Sequence, residues 1–135
     1  MLDIKFIREN SELIKLAAVK KKLSFDVDAL IKIDNQRLEI MKKADELRGK
    51  QNAISDSIPR AEPSERAKLI EQSSAIKSEI QKAEGELEQV MPIWRKLMLQ
   101  VPNIPDMTVP EGESDADNVE VKKWGEPKAF DFAPK

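Results

Sequence analysis

The stretch "LIKIDNQRLEIMKKADELRGKQNAISDSI", Leu30 to Ile58, decides the fold. Its positions Leu30, Ile33, Arg37, Ile40, Ala44, Leu47, Gln51, Ile54 and Ile58 step by alternating three and four residues, the spacing of a heptad seam. A second seam runs through Leu69, Ser73, Ile76, Ile80, Ala83, Leu87, Val90, Trp94, Leu97 and Val101. Between the two lies "PRAEPSE", a short segment marked by Pro59 and Pro63. Two long helices joined by so short a turn fold back antiparallel.

An antiparallel pair sets a positions against d positions, and the register that places small residues opposite large ones matches Ala44 with Ile76, Ile40 with Ile80, Arg37 with Ala83 and Ile33 with Leu87. Sliding by one heptad would set Ala44 against Ala83 and leave a void, so the first register is expected. Polar seam residues Gln51 and Ser73, with Gly49 inside the helix, predict a soft tip. Pro92 removes a helical hydrogen bond and predicts a kink close to Trp94. Arg37 on the seam is read as a snorkelling side chain in preference to a register-setting one.

Ahead of the hairpin, "LDIKFIREN" and "SELIKLAAVKKK" read as short helices, with Asn10 or Ser11 as a cap and three lysines at the second helix's C-terminal end. Phe6, Ile7, Leu13, Ile14, Leu16 and Ala17 form their apolar face, expected to pack against Trp94, Leu97, Met98 and Val101. Asp26 is placed to cap the first long helix. After Val101, "PNIPDMTVPEG" is an extended connector, "ESDADN" an acidic loop, and "VEVKKW" a short alternating strand. The chain thus divides into an all-α domain over 1–101 (base helices 1–26, arm helix 27–58, tip turn 59–63, return helix 64–101) and a linker over 102–135.

Composition narrows the chemistry. There is no cysteine and no histidine, which removes thiol nucleophiles, disulfides, the usual zinc sites and the commonest general base. No glycine-rich phosphate loop is present, and "DADN", although it shares the opening of a calcium loop, lacks the glycine and terminal glutamate. "MLDIKFIREN" is not a signal peptide and no apolar run reaches membrane-spanning length, so a cytoplasmic protein is expected.

Net charge is −2, carried unevenly: residues 1–26 hold six cations against four carboxylates, 27–101 hold thirteen of each, and 102–135 hold four against eight. An anionic partner must therefore be held by local patches. Lys42, Lys43, Arg48 and Lys50 on the first arm helix, Arg60, Arg66 and Lys68 near the tip, and Lys77 and Lys82 on the return helix are the candidate phosphate contacts. Interleaved acids, among them Asp45, Glu46, Glu62, Glu65, Glu71 and Glu79, give each the alternative of a solvated, salt-bridged face. Trp94 and Lys20 to Lys22 are read as core and as a solvated helix end.

These segments resemble the amino-terminal arm of seryl-tRNA synthetases, class II aminoacyl-tRNA synthetases. "MLDIKFIREN" is similar to the family's opening, "LRGKQNAIS" to its first arm helix, "VPNIP" and "DNVEV" to its connector, and "KKWGEPKAFDFAPK" to the entry into its catalytic domain. Ser11, where many relatives have proline, and Pro92 depart from the pattern.

The resemblance implies an arm that grips the long variable arm and elbow of serine tRNA by shape, on behalf of a catalytic domain that uses ATP and magnesium. It also implies a homodimeric longer parent in which the arm reaches a tRNA entering the other subunit. Because the connector here leads to no class II motif, no catalytic residue, metal site or cofactor is assigned to this chain, which is expected to be a monomer without enzymatic activity. The alternative is a free-standing coiled-coil adaptor or chaperone-like hairpin, against which stands the charged, apolar-poor tip "IPRAEPSERAK".

Overall fold

In a computed structural model that describes residues 2–126 and 131, the chain is built from four α-helices. Helix α1 (Ile4–Glu9) starts at Asp3, whose carboxylate accepts from the Lys5 N–H at 2.8 Å. Helix α2 (Ser11–Lys20) follows directly: Asn10 occupies the capping position, but its amide donates back to the Phe6 carbonyl. The α2 exit is a left-handed turn at Lys22, φ +52°, closed by the Leu23 N–H to the Ala18 carbonyl and the Lys22 N–H to that of Val19, both 2.9 Å.

Helix α3 (Val27–Ser57) is capped as expected by Asp26, which accepts from the Ala29 N–H at 2.9 Å. A 3₁₀ turn (Ile58–Arg60) leads to helix α4 (Pro63–Gln100), which opens with proline at its first position, where a missing N–H costs nothing and the fixed φ suits a helix. Helices α3 and α4 pack along each other as the expected antiparallel hairpin. At 1.5 Å per residue they are about 46 and 57 Å long. Helix α4 runs through Pro92 as one element, and Pro92 is exposed, so water can reach the carbonyl its missing N–H leaves unpaired.

The expected register is overturned. Trp94 Nε1 donates to Asp34 Oδ1 at 3.0 Å, whereas that register would set Trp94 level with Asp26, eight residues away along α3. Eight residues are about 12 Å, beyond any side-chain hydrogen bond. Stepping ten residues up α3 and eleven down α4 from the Asp34–Trp94 contact brings Ala44 level with Ala83, and Leu47 level with Ile80. All four are buried. The void argument assumed a fixed helix separation; two alanines instead let the helices close in, since interaxial distance follows the side chains at the contact.

The core lies at the base, where Ile7, Ile14, Val27, Leu30 and Met98 are buried together and Trp94, Leu97 and Val101 pack against them, as the sequence implied. Ala17 and Ala18 are buried too, but Leu16 remains 61% exposed, so only one edge of the apolar face of α2 is used.

Residues Pro105–Lys135 form a separate unit. Asp106 accepts from the Thr108 N–H and hydroxyl, and the Asp117 carboxylate gathers the Glu113 and Ser114 N–H groups at 2.6 and 3.1 Å. Gly112 is required there, because a Cβ would sit 2.4 Å from that of Asp117. The expected strand at "VEVKKW" does not form: among the described residues there is no strand to pair with it, and an unpaired ladder is not stable. Linker residues 127–130 and 132–135 lie outside the described residues.

Candidate nucleic-acid interface

All nine candidate cations are exposed, yet they are not equivalent. Arg48 is committed: its guanidinium holds Asp45 at 3.0 Å and, across the hairpin, Glu84 at 2.8 Å. Those hydrogen bonds, Glu84 first and Asp45 second, raise its pKa above the ordinary arginine value. Lys42 leans toward Glu46, one turn on, at 4.0 Å. Arg66 donates to the Ala61 carbonyl at 3.2 Å and braces the tip turn, while Arg60 lines a shallow groove beside Asp56 and Glu65. Lys43, Lys50, Lys68, Lys77 and Lys82 make no ion pair among the described residues.

The Arg48–Glu84 bridge places both residues on one broad face of the hairpin, and the seven-residue repeat extends that face to Asp34 on α3 and to Lys77 and Met98 on α4. This is the side on which α1 and α2 pack, through Arg8 on Asp34 and through Ile7 and Ile14 beside Met98. Lys43, Lys50, Lys68 and Lys82 fall by the same repeat on the opposite face, clear of the base helices. Lys42 stands on the outer edge of α3. The fold therefore gathers four of the nine on one open face and separates Arg48 and Lys77 from them.

The sequence reading missed Asp34. Its carboxylate, 1% exposed, accepts from Arg8 at 2.8 Å, from Arg37 Nε and Nη2 at 3.0 and 2.8 Å, and from Trp94. Arg37 also lies 4.8 Å from the centroid of the Trp94 ring. Arg37 is thus a bound member of a buried cluster, and the snorkelling reading is corrected. The available signal was spacing: Asp34 is one turn past Leu30 and one before Arg37, on the stripe that meets the base helices.

The structure is thus a long antiparallel helical hairpin with a packed base, a half-buried tip and four exposed lysines on the flank away from the base helices. Residues 1–105 match the family model described as the seryl-tRNA synthetase N-terminal domain, and the chain belongs to that family. It is 41% identical, over its whole length, to the serine–tRNA ligase of Acetivibrio thermocellus, covering 32% of that protein, and 38% identical to that of Dictyoglomus turgidum, again covering 32%. Among solved structures it resembles the seryl-tRNA synthetase of Pyrococcus horikoshii, crystallised with ATP, with a TM-score of 0.72 and 32% identity over 93% of this chain and 29% of that one. The chain spans about a third of the length of the relatives it matches.

Proposed function

We propose that this chain is the tRNA-binding arm of a serine–tRNA ligase, gripping the long variable arm and elbow of serine tRNA by shape and phosphate contacts. The remaining length of the parent protein would then attach serine in an ATP-dependent reaction. The observation that carries this reading, beside family membership, is the open face on which Lys43, Lys50, Lys68 and Lys82 make no ion pair among the described residues. The deep, narrow major groove of A-form RNA shuts out a helical hairpin, but dispersed cations along one can follow a phosphate backbone and the outline of a folded RNA.

ATP and magnesium do not fit the residues at hand: the sequence has no phosphate-cradling loop, and no cluster of three or more carboxylates able to hold a metal exists among the described residues. Both belong to the longer parent. That parent is a cytoplasmic homodimer in this reading, with the arm reaching a tRNA whose acceptor end enters the other subunit. No helix among the described residues is long and apolar enough to cross a membrane.

Charge reversal tests the surface. With about four phosphate contacts on duplex RNA, the logarithm of affinity should fall against that of salt concentration with a slope of about −3.6. Converting Lys43, Lys50, Lys68 and Lys82 to Glu should weaken serine tRNA binding by more than about tenfold and flatten that slope, with helicity unchanged. Unaltered affinity and slope would remove the open face from the reading.

A further inference from the structure

A heptad repeat determines which stripe of each helix is apolar, but not how far one helix is slid along the other, because a shift of seven residues carries every seam position onto another. This chain has a second register that keeps apolar seam residues opposite one another: a slide of one heptad sets Ala44 against Ile76 and Ile40 against Ile80. Something that occurs only once along the seam must choose between the two.

Asp34 and Trp94 are that feature. In the observed register the buried carboxylate receives the indole N–H at 3.0 Å, while Arg37 is held between Asp34 and the indole ring. A slide of one heptad would put Leu87 where Trp94 stands. Asp34 would then face an apolar side chain that has no donor, and Arg37 would lose its aromatic partner. The same slide would set Lys77 in place of Glu84 opposite Arg48, like charge against like. That second pair is exposed and weak, so the buried cluster decides. A buried polar group that specifies register in a coiled coil is the best-attested use of such groups.

We infer that Asp34, by recognising Trp94 across the hairpin, sets the register of the arm and so fixes which cations of α4 stand level with those of α3. A heptad slide would move Lys68 and Lys82 by about 10 Å relative to Lys43 and Lys50, redrawing the cationic face while leaving both helices intact. Asp34 is a positioning residue in this sense, and it acts whatever the arm binds.

The absence of cysteine makes the test clean. Two paired substitutions report the registers by disulfide closure under mild oxidation: Ala44→Cys with Ala83→Cys for the observed one, and Ala44→Cys with Ile76→Cys for the displaced one. In the otherwise unaltered chain the first pair should close and the second should not. Adding Asp34→Ala should raise closure of the second pair by about tenfold or more, the signature of a population moved between two states. Ile14→Ala, which loosens the base without touching the cluster, should leave the second pair at background. If Asp34→Ala does not fold by circular dichroism, Trp94→Phe, which removes only the N–H donor, carries the same expectation with a smaller rise. Three results would overturn the inference: closure of the second pair in the unaltered chain, background closure in a helical Asp34→Ala or Trp94→Phe chain, or an equal rise with Ile14→Ala.

Discussion

The two ends of the hairpin are built on opposite principles. At the base, Asp34 is buried between two arginines and an indole, beside Leu30 and Val27, themselves at most 1% exposed. At the tip, Gln51, Ile54, Leu69 and Ser73 are only half-buried, and a Cβ at Gly49 would meet nothing within 4 Å beyond its chain neighbours and its own helix backbone. The heptad seam is continuous between them, so periodicity alone does not distinguish the ends; what differs is how much each residue loses if water enters. If Asp34 sets the register as inferred, a base held against sliding and a less tightly packed tip would suit the proposed task of placing cations against a folded RNA.

Packing substitutions should break this contrast most sharply. Leu30→Ala at the base should lower stability by about 4 kcal/mol, whereas Ile54→Ala near the tip should lower it by only about 1 kcal/mol, as measured by urea unfolding. Equal losses would mean that the hairpin is uniformly packed. Next in size, Asp34→Ala should lose about 3 kcal/mol, because it strands buried guanidinium and indole donors; the value sits at the low end of such losses since Arg8 is 35% exposed. A neutral result in the same unfolding experiment would show that the cluster contributes nothing to the base.

A smaller gain should sharpen the contrast. Gly49→Ala meets open space and should stabilise the helix by about 1 kcal/mol, slowing amide exchange around the tip while leaving the base unchanged. The smallest effect belongs to the connector. Backbone N–H groups of Glu113 and Ser114 lower the Asp117 pKa below the ordinary carboxylate value. A depressed carboxylate contributes stability that is present above its unfolded pKa and is lost as pH falls through the folded one. The loop should therefore loosen only in acid below the usual carboxylate range, followed by amide exchange at Ser114, and Asp117→Asn should remove that dependence.

Much of the hairpin was legible in the sequence. The seams and the Asp26 cap are local signals whose physical cause is contained within a few residues, whereas Pro63, read as the end of the tip turn, is the first residue of α4. The register was not legible, because a repeat is silent about translation and the Ala44–Ala83 level is acceptable only once the helices are free to approach. Asp34 was missed for a related reason: its spacing from Leu30 and Arg37 puts it on their stripe, but its partners Arg8 and Trp94 are 26 and 60 residues away, so that spacing alone does not say what covers the stripe. "VEVKKW" failed as a strand because alternation describes a side-chain pattern, while a strand also needs a neighbour. The nine cations were legible as charges but not as faces, since sorting them required the Arg48–Glu84 bridge.

The most direct measurement is a titration of this chain against serine tRNA and against the same tRNA with its long variable arm deleted, at two salt concentrations. Salt-sensitive binding that drops on deletion is the predicted result. Equal binding to both RNAs, or no binding to either, would contradict an arm that reads the shape of serine tRNA.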